Sequence, residues 1–161
     1  MSDIEIDGLT LISGIEKIQE SFLFKGLSYE ETRQLAGICI LTTVDDATVI
    51  IEEHSLGQDL YLVVRGEVTV YTGEGDNKNI LATLKPGDIF GEMSLIDDLL
   101  TSASVASRGE TTLLKVSKRD LEGLMEYNDR LAAKVYRSFC MALSRRLREA
   151  NERLEGADPH G

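Results

Sequence analysis

Histidine and cysteine are scarce in this chain of 161 residues, which holds two of each. His54 and His160 alone cannot build the multi-histidine metal centre of a metal-dependent barrel enzyme. Nor, with the two cysteines so far apart, do they supply a Ser/His/Asp or Cys/His nucleophilic set. Cys39 and Cys140 lie 101 positions apart without CxxC or Cys/His ligand spacing, the usage of a reduced, cytoplasmic protein. No apolar run approaches the roughly 20 residues that cross a bilayer, and the opening MSDIEIDGLTLISG lacks the basic n-region of a signal peptide. Basic residues are also in deficit, 17 against 28 acidic ones for a net charge of −11. Such a surface repels phosphate backbones, so neither nucleic acid nor membrane is expected as a partner.

What is present suffices for one domain with an ordinary core. Apolar residues make up 42% and charged residues 28%, which excludes wholesale disorder. The charge is uneven. Residues 1–100 carry 19 acidic and 6 basic side chains, a balance of −13, whereas residues 101–161 carry 9 and 11, a balance of +2.

The expected organisation is an extension over 1–14, a domain over 15–155 and a tail over 156–161. Residues 15–25 place Ile15, Ile18 and Phe22 at helical spacing, and Ser28 with Glu31 forms a capping box for a second short helix through Ala36. From about 37 to 117 short β-rich runs alternate with turn residues: 38–44, 48–51, 60–65, 67–71, 80–84, 102–107 and 111–116. Strands so short, with no crossover helices between them, predict an antiparallel barrel or sandwich. Residues 118–155 read as helical. A first helix over 119–126 presents Leu121, Leu124 and Met125, and Asp129 is placed to cap a longer one. In that helix Tyr136, Cys140, Leu143, Leu147, Ala150 and Leu154 recur at intervals of four and three. The pattern fits either a helix packed on its own barrel or a seam pairing two copies. Arg145, Arg146 and Arg148 lie between these positions, with Glu149 and Glu152 nearby, and read as a solvated face.

The informative stretch is LKPGDIFGEMSLIDDLLTSASV, residues 84–105. A glycine at the mouth of a helical turn, Gly91, presents unpaired backbone N–H groups, and Glu92 beside it is fit to accept hydrogen bonds from sugar hydroxyls. With two further blocks, Phe24-Lys25-Gly26-Leu27-Ser28 and Gly57 to Tyr71, the chain resembles the cyclic nucleotide-binding domain of bacterial catabolite activators, kinase regulatory subunits and gated channels. The resemblance covers about residues 20–150. It implies a mainly β fold with flanking helices, an eight-stranded antiparallel jelly-roll barrel with short N-terminal helices and a long C-terminal helix that commonly forms a dimer interface. It also implies a ligand site at Gly91, Glu92, Met93, Ser94, Thr101 and Ser102.

In that site the family reads roughly F-G-E-x-A-L and then P-R-A-A-x-V, where this chain has Leu100-Thr101-Ser102. The phosphate-binding arginine is thus replaced by Thr101. Asp97 and Asp98 in the same loop would add repulsion, and Arg108, seven residues on, lies too far along the opposite face of a strand to substitute. His54 stands where the family has a glycine and is either a ligand contact, a pH sensor or a turn residue. The expected function is a non-enzymatic regulatory domain, homodimeric through its last helix, with weakened or altered cyclic nucleotide binding, no catalytic residues, no metal and no obligatory cofactor. No helix-turn-helix module is expected after the long helix, so any output is expected to pass to a protein partner or the dimer itself. The alternatives are a ligand-free protein-interaction module and a cupin-type barrel enzyme.

Overall fold

The computed structural model describes residues 26–157, together with Ser2–Asp3 and Glu16. The helix expected over 15–25 lies outside the described residues, apart from Glu16, which is helical. The described strands are β1 (Ser2–Asp3), β2 (Cys39–Val44), β3 (Val49–Ile51), β4 (Asp59–Thr72), β5 (Asn79–Leu84), β6 (Ile89–Phe90) and β7 (Ser104–Ser117). The helices are α1 (Tyr29–Ala36), α2 (Glu92–Asp97), α3 (Lys118–Glu126) and α4 (Asp129–Ala157). The capping box that starts α1 is formed, with Glu31 N–H donating to Ser28 Oγ at 3.2 Å and Ser28 N–H donating to Glu31 Oε1 at 2.9 Å.

All strand pairs are antiparallel, in the order β1-β2-β7-β4-β5, with β3 on β7 and β6 on β4. The mainly β fold with flanking helices is as expected, but the count and closure differ. Among the described residues the sheet has seven strands rather than eight, and its pairing does not close into a ring. Two pairs of expected strands are each one long strand. The runs at 60–65 and 67–71 join through a bulge near Gly66 into β4, and those at 102–107 and 111–116 join through Gly109 into β7. A glycine turn signal inside a strand is equally the signature of a bulge, where the chain bends without leaving the ladder.

Strand alternation divides the core in two. Tyr61 and Val63 of β4, Leu113 of β7 and Phe90 of β6 turn to one side, with Val68, Leu84 and Val105. Their neighbours Leu60, Leu62, Leu114, Val116 and Ile89 turn to the other, where α1, α3 and the first half of α4 cover them. Helix α4 docks through Leu131, Val135, Phe139 and Ala142, all buried. Its N-cap is Asn128 rather than Asp129, since Asn128 Oδ1 accepts from Leu131 N–H at 3.0 Å. The spaced apolar residues Tyr136, Cys140, Leu147 and Leu154 lie on another face and are exposed.

Candidate functional site

The short strand β6 delivers the chain into the site. Phe90 is buried and stacks on Tyr61 with ring centroids 4.9 Å apart, which fixes where the next residue emerges. That residue, Gly91, has φ +87°, and a Cβ on it would lie 2.5 Å from the Asp59 carbonyl oxygen. A side chain there is opposed both by the left-handed backbone and by β4. Gly57 is held close for a different reason: a Cβ would overlap the Cβ and Oγ of Ser94. The two glycines let α2 sit directly against the neighbouring loop and strand.

The structure gathers Gly91, Glu92, Met93, Ser94, Thr101 and Ser102 around one solvent-open cleft with an inner volume of about 90 Å³. Ile51, Val70 and Val105 supply its apolar wall. Glu92 is 1% exposed and Ser94 is buried, while Met93 and Ser102 lie near the surface. Thr101 faces away from the role of a free donor. Its hydroxyl donates to the Glu52 carbonyl at 2.5 Å and accepts from Ser55 N–H at 3.0 Å, and its backbone exchanges bonds with His54 and Ser55.

Among the described residues one cation lines the cleft, and it comes from α4. The Arg146 guanidinium donates to Glu92 Oε1 and to the Ile89 carbonyl. Burial pushes the Glu92 carboxyl above its ordinary range, and the Arg146 charge offsets part of that rise. The reading of Arg145, Arg146 and Arg148 as a solvated face therefore fails for Arg146. The signal was available: Leu131, Val135, Phe139 and Ala142 step along one helix stripe at spacings of four, four and three, and the next step of four lands on Arg146. Arg145 is also tied to the body, through Asp88 at 2.9 Å.

The acidic loop also differs from expectation. Neither Asp97 nor Asp98 lines the cleft. Asp97 Oδ1 accepts from Leu99 N–H at 3.1 Å, a turn-closing bond, and Asp98 pairs with Lys118, which also donates to the Ser94 carbonyl at 3.1 Å. Their charge is turned outward, so they do not deepen repulsion inside. Arg108 points elsewhere, to Glu67 at 3.4 Å. His54 does not line the cleft either: it has φ +60°, its side chain is 75% exposed, and it faces Glu53 at 3.6 Å. Leu56, Ile96, Leu99 and Leu100, none of which lines the cleft, are exposed.

The description of the cyclic nucleotide-binding domain family matches residues 41–128. The chain belongs to the cyclic nucleotide-binding domain family. It is 36% identical over 134 residues to the cyclic AMP receptor protein of Thermus thermophilus, covering 83% of this chain and 60% of that protein. A cyclic nucleotide-binding domain from Methylobacillus flagellatus superposes with a TM-score of 0.81 at 26% identity, over 94% of this chain and 85% of that one. The regulatory subunit of a cAMP-independent protein kinase A from Trypanosoma cruzi, bound to guanosine, superposes with a TM-score of 0.66 at 22% identity, over 73% and 42%. The chain thus spans three-fifths of its Thermus relative. Among the described residues no helix is long and apolar enough to cross a membrane.

Proposed function

We propose that this chain is a non-enzymatic regulatory domain whose cleft over residues 91–105 binds cyclic nucleotides weakly, because Thr101 stands where the family places its phosphate-binding arginine. The observation that carries the reading is the state of the cleft's charges. Among the described residues its one lining cation, Arg146, is engaged by the buried Glu92 carboxylate, and the Thr101 hydroxyl is held by the loop at 52–55. Loss of one partner of a desolvated arginine–phosphate pair costs about 2–5 kcal/mol, about 30-fold to several thousand-fold in affinity. Calorimetric titration with cyclic AMP and cyclic GMP tests this: weak or undetectable heats are expected, and micromolar or tighter binding of either would overturn it.

The same domain is proposed to dimerise through α4. Tyr136, Cys140, Leu147 and Leu154 are exposed on a face other than the one that docks on the sheet. In heptad terms Cys140, Leu147 and Leu154 take a positions and Tyr136, Leu143 and Ala150 take d positions. A signal then runs from Glu92 through Arg146 to the helix that pairs, and ligand binding biases it by differential affinity for two helix positions. A second reading, an interaction module that needs no ligand, draws on the exposed apolar side chains of Leu56, Ile96, Leu99 and Leu100.

A further inference from the structure

Outside the cleft, two segments bring exposed apolar side chains to one face. Leu56 and Leu100 pair across an isolated antiparallel bridge, and Ile96 and Leu99 lie on the turn that carries α2 into that bridge. Their exposures run from 47% for Ile96 to 69% for Leu56, so none is spent on the core. A single exposed leucine is ordinary on a protein surface, whereas several on adjoining segments mark a contact face. Leu56 also walls a groove with an inner volume of about 370 Å³, together with the exposed Val49.

The charge around this face is mostly of one sign. Glu52 and Asp59 line the groove, and among the described residues no lysine or arginine does; Lys115, outside it, offsets part of the Asp59 charge. Beside the leucines, Asp97, Asp98 and Glu122 all act on the Lys118 ammonium, three carboxylates on one cation. The Asp98 side chain is 84% exposed and that of Lys118 18%, so the surplus faces solvent. Such a rim repels phosphate-bearing surfaces, whether nucleic acid or anionic bilayer. The backbone here offers little to an added strand, because the N–H groups of His54, Ser55, Leu99 and Thr101 are already bonded. Contact is left to side chains, which is how an amphipathic helix docks, its own backbone bonds being satisfied internally.

Resting on the reading of the domain as an interaction module, we propose that this face docks a basic amphipathic helix of a protein partner. The helix sets its apolar residues on Leu56, Ile96, Leu99 and Leu100, and its lysines or arginines against Asp97, Asp98 and the carboxylates of the groove.

The test is fluorescence anisotropy of the full chain, at physiological ionic strength and without nucleotide, with three labelled helical peptides of about five turns. One carries leucines on one face and arginines on the other, one has glutamates in place of the arginines, and one is basic with serines in place of the leucines. The leucine–arginine peptide is expected to bind about tenfold or more tightly than either of the others. Leu99→Ser with Leu100→Ser should weaken it about tenfold, and Asp97→Asn with Asp98→Asn about fivefold. Asparagine keeps the turn-closing acceptor at 97 and tolerates the left-handed backbone at 98, so the second pair removes charge with the loop preserved. Asp46→Asn with Glu110→Gln removes the same charge beside Gly109, at the other end of the β3–β7 ladder, and should leave binding unchanged. Equal weakening by that pair overturns the inference, because it shows only a general attraction to an acidic body. Equal or tighter binding of the leucine–glutamate peptide, still lost in the leucine variant, overturns the basic partner but keeps the face as an interaction surface. If no peptide binds, or the leucine variant binds as the native chain does, both fall. A lower mass by light scattering for the leucine variant alone would make the occupant a second copy and overturn the assignment to a partner protein.

Discussion

Replacing Arg146 by methionine keeps an unbranched, flexible stem of four side-chain atoms but leaves the Glu92 carboxylate sealed in the cleft without its cation. Glu92 is 1% exposed and Arg146 29%, so water can replace the guanidinium only in part. Breaking such a pair costs about 3–5 kcal/mol when the remaining charge must stay charged. Glu92 has an escape, because it can take up a proton. Relative to the ordinary value of 4.5, neutralisation at pH 7 spans 2.5 pH units at about 1.4 kcal/mol each, which caps the charge penalty at about 3.4 kcal/mol. At pH 5.5 the same cap is about 1.4 kcal/mol. The sign follows from linkage. A carboxyl whose folded pKa lies above its unfolded value favours the fold at low pH and loses that contribution as pH rises through the folded value. Urea denaturation of Arg146→Met is therefore expected to show a loss of about 2–3 kcal/mol at pH 7 that shrinks below about 1.5 kcal/mol at pH 5.5. Adding Glu92→Gln, which removes the charge, should recover most of the loss at pH 7. A penalty that does not change with pH, or a double variant no better than Arg146→Met, would show that the guanidinium acts through packing rather than through Glu92.

Leu143→Asp with Leu147→Asp is expected to halve the mass seen by light scattering, and an unchanged mass would show that the exposed seam of α4 does not pair two copies. Gly57→Ala forces a Cβ into Ser94 and should cost about 1–3 kcal/mol in chemical denaturation through the shift of α2; a neutral effect would mean that the loop gives way freely. His54→Gly relieves a left-handed backbone at an exposed site and is expected to gain about 0.5–1 kcal/mol, after allowing for the greater freedom of glycine in the unfolded chain. A loss of stability there would assign the imidazole a contact that its exposure does not suggest.

Features encoded in neighbouring residues were legible in the sequence. The Ser28–Glu31 capping box, the helix at 118–126 and the turn from β6 through Gly91 into α2 each depend on positions a few residues apart, and each forms. Long-range pairing was less legible. Gly66 and Gly109 carry the same local signal whether the chain turns back or merely bulges, and only the partner strand decides which. Asp97 and Asp98 lie in the right loop, but the Asx turn and Lys118 aim them outward. Arg146, 54 positions from Glu92, is one of several charged residues on its helix, and only the docking stripe through Leu131, Val135, Phe139 and Ala142 singles it out. Chain proximity identified the loop that builds the cleft, whereas its charge was set by a helix that arrives from the other end of the sequence.

The affinity of cyclic AMP for the native chain, measured beside the Thr101→Arg or Ser102→Arg variant that places a cation in the loop, tests the reduced-phosphate-binding proposal most directly. The arginine variant should bind at least about 30-fold more tightly than the native chain, in line with the lost charge pair. Native binding at micromolar strength or better, unimproved by the added arginine, would contradict the claim that Thr101 has weakened this site for a cyclic phosphate.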